Sequence, residues 1–309
     1  GKTLLELAAN EKTKVSLEEL APIYSRAICE HIKRNPKQGT FKNSKFLKSC
    51  EEFNQGLISQ DVLVNRTVKL GFNNVIDAFH VVNSGEIPVR FFYDERSNGS
   101  GINLSDDLLN LSSSVHFNSF ACEIEARWRL VETAWELNLP SRLLSVSYDM
   151  DNESLLFKDH DRRINISSCR DALNGYQKGL CFYSQRPISL DRYSLDLCDV
   201  DHFLPHALCQ FDEFDSVNIN GVWNLVLSSK TCNRGEGGKF AKIPSIRFLE
   251  RLHERNEYYI SSHHPLRETI INQTGKSEFE RRQFLQRIYN MAHKRLIHQW
   301  EPQETHDLS

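Results

Sequence analysis

The apolar positions of this chain change their period once. Up to about residue 136 they recur mostly at three- and four-residue spacing, and from about residue 143 they alternate. The segment "LEELAPIYSRAICEHIKR" (17–34) carries helical spacing, and Ser16 with Glu19 forms a capping-box signature in front of it. Pro22 is tolerated only if it falls in the first turns. "SKFLKSCEEFNQG" and "SQDVLVNRTVKLGFNNVIDAFHVVNSG" are two further helical candidates, each ending near glycine. "EIPVRFFYDERSNGSG" changes character: Pro88 and the Val/Phe/Tyr run predict an edge strand, and "RSNGSG" a loop. "SFACEIEARWRLVETAWELNLP" predicts a helix with Ile124, Trp128, Val131 and Trp135 on one stripe.

Beyond that point, "LLSVSYD" and "SLLFKD" flank the turn signal "MDNE" and predict a hairpin. "SSCRDALNGYQKG" predicts a short helix stopped by Gly179, and "LCFYSQRPISL" a small hairpin. "DVDHFLP" and "GVWNLVLSS" read as two strands joined by a polar loop. The polar run "KTCNRGEGGK" precedes "PSIRFLERLHERNEYY", which is helical. "SEFERRQFLQRIYNMAHKRLIHQW" predicts an amphipathic helix, with Ser277 and Glu280 as its capping box and Phe284, Ile288, Ala292 and Leu296 as its seam. The change of period puts a domain boundary near residue 142.

Composition narrows the class. A chain of 309 residues, 39% hydrophobic and 26% charged, suits two folded domains. A net charge of -3 excludes a uniformly basic nucleic-acid binder but leaves room for a local basic surface. No apolar run approaches the roughly 18 residues that span a bilayer, and the N-terminus lacks a signal-peptide layout. Eight cysteines are scattered without a framework, which points to a reduced, cytoplasmic protein.

The run "DVDHFLP" raises a physical question. Asp199, Asp201 and His202 stand in a short, mostly apolar stretch, and burying unpaired charge is costly. Either the fold supplies partners, or the groups hold a cation and do chemistry. His202 titrates near neutrality and suits a general base. Asp201 offers a hard anionic oxygen and Asn233 a neutral amide oxygen, the start of a magnesium site completed by water and phosphate. The amide of Asn224 suits a tie from the intervening loop to backbone that would fix His202. A helix starting near Asn233 would aim amides at a phosphate, with Arg234, Lys239 and Lys242 as DNA-backbone contacts. Each fragment alone has a structural reading: a satisfied Asp-His pair, a turn asparagine, a flexible glycine loop. Asp199 is either an outer member of the site or half of a surface salt bridge. His206 reads as a helix residue, and the adjacent His263 and His264 cannot easily face one metal.

Taken in order, Asp201-His202, Asn224 in "VWNLVL" and Asn233 in "CNRGEGGK" resemble the HNH endonuclease motif of the ββα-metal fold. The "DVDH" lead and "NRG" finish are similar to the HNH domain of CRISPR effector nucleases, and the arrangement of a helical domain followed by HNH is similar to bacterial HNH proteins of phage-defence or restriction systems. The likeness covers roughly residues 165–250. It implies an α+β protein: a mainly helical N-terminal domain (1–142) that binds a partner or a dimer mate, then an HNH nuclease domain (143–309) with C-terminal helices. It implies hydrolysis of DNA by Mg2+ or Mn2+ chemistry that leaves a 5′-phosphate, with catalytic His202 and Asn224, metal ligands Asp201 and Asn233, and a role in defence or restriction. The competing reading is a nuclease-derived nucleic-acid-binding subunit, active only within a partner complex. Many HNH domains also carry a zinc in two C-x-x-C knuckles. Here those positions read Cys181, Ser184, Ser229 and Cys232, so no structural zinc is expected unless Cys198 or Cys209 completes a site.

Overall fold

A computed structural model describes residues 1–302 apart from 11, 40–43, 83–84, 100, 115–116, 137–145, 152–153, 160–161 and 192. It contains two compact units, Gly1–Ile124 and Glu125–Ser309. The division falls within one helix span, and the expected boundary near 142 lies outside the described residues.

The first unit is mainly helical. It comprises α1 (Lys2–Ala9), β1 (Lys14–Val15), α2 (Leu17–Arg34), α3 (Lys45–Asn54), α4 (Gln60–Leu70) and α5 (Val75–Ala78). β2 (Val81–Val82), β3 (Gly85–Glu86), β4 (Phe92–Asp94), β5 (Ile102–Leu104) and α6 (Asp106–Ser112) follow. The Ser16/Glu19 capping box forms. Pro22 lies inside α2 in its second turn, where it removes one backbone donor. The long helical candidate after Ser59 breaks at Gly71, where a Cβ would lie 2.9 Å from the Thr67 carbonyl. The chain continues as the single turn α5 and the hairpin β2–β3. β4 is the edge of the sheet ordered β1-β5-β4, as the Pro88 segment predicted.

α7 (Phe117–Glu136) leads into the second unit. Its core-facing residues there are Ala126, Leu130 and Ala134. The expected stripe at Trp128, Val131 and Trp135 is only half-buried. The small residues sit inside and the large rings lie along the flank. β6 (Val146–Asp149) and β7 (Ser154–Asp159) form the expected hairpin, and β8 (Arg162–Ser168), which alternation in "RRINISS" did not announce, adds a third strand. α8 (Cys169–Gln177) ends where Gly179 takes φ +77, its N–H bonded to the Asn174 side chain.

β9 (Asp199–His202) and β10 (Leu225–Ser228) pair antiparallel, and α9 (Lys230–Arg234) follows at once. β11 (Ile243–Pro244), α10 (Arg247–Ser261), α11 (Arg267–Thr274), α12 (Glu278–Arg295) and β12 (Gln299–Trp300) complete the unit. The Ser277/Glu280 capping box of α12 forms. Its buried seam is Leu285, Ile288, Tyr289 and Ala292, so Ile288 and Ala292 are buried as expected while Phe284 and Leu296 are only partly buried.

Two buried polar side chains replace strand neighbours around the central hairpin. Gln177 accepts from the Leu227 N–H at 2.8 Å and donates to its carbonyl at 2.7 Å, so an amide closes the free edge of β10. Arg255, fully buried on α10, donates to the Val222 and Trp223 carbonyls at 3.1 and 2.9 Å.

His264 is buried at the end of α10, where its Nδ1 accepts from the Leu266 N–H at 3.1 Å. Burial, and then the charge of Arg127, holds its pKa well below 6.5. The unfolded chain therefore takes up a proton that the fold refuses. Stability is complete above pH 6.5 and is lost as pH falls below that value. Urea midpoints should drop between pH 7.5 and 5.5, and His264→Asn, which keeps an acceptor, should show a shallower drop; an identical slope would assign the effect to other groups.

Candidate active site

Residues 199–202 form a strand because Val200 and the flanking Phe203 and Leu204 pack inward while β10 supplies a wholly buried partner, apolar at three of its four positions. Its register places Asp199 opposite Ser228, Asp201 opposite Val226 and His202 opposite Leu225. Alternation puts Asp199 and Asp201 on one face and His202 on the other. All three are buried.

On the acid face, each carboxylate is neutralised from the segment after β10. Asn233 donates to Asp199 Oδ2 at 3.1 Å, and Arg234 grips both oxygens of Asp199 at 3.0 Å. Asp201 Oδ1 faces the Lys239 ammonium at 3.0 Å, and its Oδ2 accepts from the Tyr183 hydroxyl at 2.6 Å. Burial still pushes the Asp201 pKa up, with Lys239 and Tyr183 opposing it. Asp199 is therefore not a surface group.

On the other face, His202 Nε2 lies 2.9 Å from Asn220 Oδ1. That oxygen only accepts, so Nε2 carries the proton and Nδ1 the lone pair. The ring meets Tyr148 edge-on at 5.8 Å and lies 5.6 Å from His206, centroid to centroid. Burial lowers its pKa to about 4, against the Asn220 bond and with help from His206 and Lys239, so the ring is a neutral base near pH 7. Asn224, fully buried, accepts from the Leu204 N–H at 2.8 Å and donates to the carbonyls of Leu204 and Ile219 at 2.9 Å each. One amide thus ties both ends of the loop that follows His202.

The structure departs from the sequence-based picture at several of these residues. Asn233 meets Asp199 rather than Asp201, and it lies late in α9, whose N-cap is Ser229. The segment therefore begins before Asn233 and aims no N-terminal amides from it. Lys239, expected at a phosphate, is completely buried because Asp201 needs a counter-charge. Arg234 is exposed but held by Asp199, while Lys242 is half-buried. On α12, Arg281 pairs with Glu257, Arg282 with Glu250 and Arg295 with Glu213.

Cys181, Ser184, Ser229 and Cys232 do converge. The Ser229 N–H donates to Cys181 Sγ at 3.3 Å and Ser228 Oγ lies 3.9 Å from it, and the neighbouring Cys232 thiol pulls the Cys181 pKa down, which makes Cys181 the acidic member of the pair. Among the described residues no group of three or more His, Cys, Asp or Glu side chains is arranged to hold a metal. Sequence reasoning missed Asn220 and Tyr183. An asparagine in a turn and a tyrosine in an apolar run carry no periodic signal.

The HNH endonuclease family model matches residues 181–241, the stretch that carries Tyr183, Asp199, Asp201, His202, Asn220, Asn224, Asn233, Arg234 and Lys239, and supports an HNH domain there. No curated protein and no solved structure matches the chain significantly. Among the described residues, no helix is long and apolar enough to cross a membrane.

Asn224→Ala orphans three buried backbone groups, so it should cost about 3 kcal/mol or more in urea unfolding. A loss below about 1 kcal/mol would mean that the loop is held by other contacts.

Proposed function

We propose that residues 181–241 are the catalytic unit of a divalent-metal-dependent endonuclease or nickase that hydrolyses DNA in bacterial anti-phage defence or restriction. The observation that carries this reading is His202: a neutral imidazole, oriented by Asn220, at the end of the strand that also bears Asp201, inside the matched HNH segment. HNH nucleases typically use divalent metals. The donors here, two carboxylates and an amide on one sheet face and its following turn, are the oxygen ligands a hard cation prefers. Asp201 and Asn233 are assigned as its holders, with Asp199 beside them. Bound there, Mg2+ or Mn2+ would neutralise charge developing on the phosphate.

The chain's own part is proton handling and positioning. His202 takes a proton from the attacking water at Nδ1, while Asn220 keeps Nε2–H and steadies the imidazolium. Asn224 holds the loop that carries Asn220. Arg234 and Lys242 contact backbone phosphates. The N-terminal unit, which carries no catalytic pattern, binds a protein partner or a dimer mate.

A second reading has one specific observation behind it. Both acids are already neutralised by Arg234 and Lys239, the condition of a subunit that becomes active only when a partner opens the site. Purified chain incubated with DNA and millimolar Mg2+ or Mn2+ separates the two. Cutting that a chelator stops supports the first; DNA binding with cutting only after a partner is added supports the second.

His202→Ala should lower cleavage by about a hundredfold or more with DNA binding retained. Residual cutting within tenfold of the parent would remove His202 from the role of base. Asn220→Ala should lower kcat with KM little changed, and Asn220→Asp, which keeps the acceptor, should recover most of the loss.

A further inference from the structure

The loop after α9 is built around one buried ammonium. Its glycines are sites of close approach: a Cβ on Gly235 would lie 2.8 Å from Thr231 backbone, and one on Gly238 would lie 2.8 Å from the Gly235 carbonyl. The Lys239 N–H bonds the Cys232 carbonyl at 2.7 Å, and the Phe240 N–H bonds the Asn233 carbonyl at 2.8 Å. Trp300 pins the same loop by donating to the Gly237 carbonyl at 2.7 Å. Phe240 takes φ +47, a conformation that costs a non-glycine residue energy, and its side chain is exposed. The outcome of this constrained turn is that the Lys239 side chain runs inward to Asp201.

Lys239 and Tyr183 together occupy both oxygens of Asp201. The ammonium's one other partner among the described residues is the Phe240 carbonyl, at 3.2 Å. A dication cannot share that carboxylate with an ammonium at contact distance without strong repulsion. We propose that Lys239 is the resident counter-cation of Asp201, and that a divalent cation binds by displacing it. This rests on the metal-dependent reading above and adds its regulation: Lys239 is a positioning residue that holds Asp201 closed. Displacement frees the turn between Arg234 and Lys242. It also turns a buried ammonium into a phosphate contact on the chain's most glycine-rich segment, so metal loading and DNA contact are coupled.

The test uses the full chain and Mn2+ alone, without reading cleavage. Calorimetric titration should show Mn2+ binding at least about tenfold tighter in Lys239→Met than in the parent. Amine acylation read by mass spectrometry should find Lys239 protected in the parent and severalfold more reactive once Mn2+ saturates, with no such rise in Asp201→Asn. Equal Mn2+ affinity in folded Lys239→Met, or an unchanged Lys239 reactivity in Mn2+-saturated parent, would overturn the proposal and leave the metal-dependent reading standing. If neither protein binds Mn2+ up to tens of millimolar, both fall. Should Lys239→Met fail to fold, Lys239→Gln replaces it, and the acylation arm needs no variant at that position.

Discussion

Two carboxylates on one buried face of a four-residue strand must be neutralised, and the rest of the domain is arranged around that requirement. Asp199 and Asp201 sit where solvent contributes little, so an unpaired charge at either position is costly. Both counter-charges come from one short stretch of chain: Arg234 closes on Asp199, and Lys239 closes on Asp201 five residues later in the same turn. The pairing fixes where α9 lies on the hairpin. It also explains the glycines of "NRGEGGK", because a turn with side chains at Gly235 or Gly238 would collide with its own backbone and fail to deliver the lysine.

The hairpin that carries the acids has only two strands, too few to be stable by itself. Its missing neighbours are supplied by polar side chains. Gln177 takes both backbone groups of Leu227, Asn224 closes the loop between the strands, and Arg255 holds the turn before β10 from α10. These amides and the guanidinium are directional where apolar packing is not. They set the position of His202 relative to the acids more narrowly than a core of aliphatic side chains could. Tyr183 links the two systems. Its hydroxyl serves Asp201, while its ring packs edge-on against Phe248 and Trp300 from the C-terminal elements.

Chemistry and stability pull in opposite directions at this site. The contacts that satisfy Asp201 are those a bound ion would have to replace, and Arg234 cannot grip a phosphate and Asp199 with the same donors. A domain at rest in this state is charge-balanced, and under the proposed reading its activity would depend on exchanging internal cations for external ones. His202 lies outside the exchange. Its partner is the neutral amide of Asn220, and the ring is held neutral by burial.

The sequence by itself determined the elements whose signals are local. The capping boxes at Ser16 and Ser277, the stop at Gly179, the β6–β7 turn and the order Asp-His, Asn, Asn were all legible because each depends on residues within a few positions of one another. Helix faces were read less well. In α7 alanines occupy the core and tryptophans the flank, since close packing selects size, which hydropathy does not report. Only the tertiary structure decided which acid meets which cation. Asp199 and Asp201 share a strand face, and Arg234, Lys239 and Lys242 share a loop, so the pattern alone permits several pairings. The backbone path through Gly235, Gly238 and Phe240 selects one, because it is the path that buries the lysine against Asp201 and leaves Arg234 outside on Asp199. The carboxylate–amide pairing of Asn233 followed from the same path and not from its place in the motif.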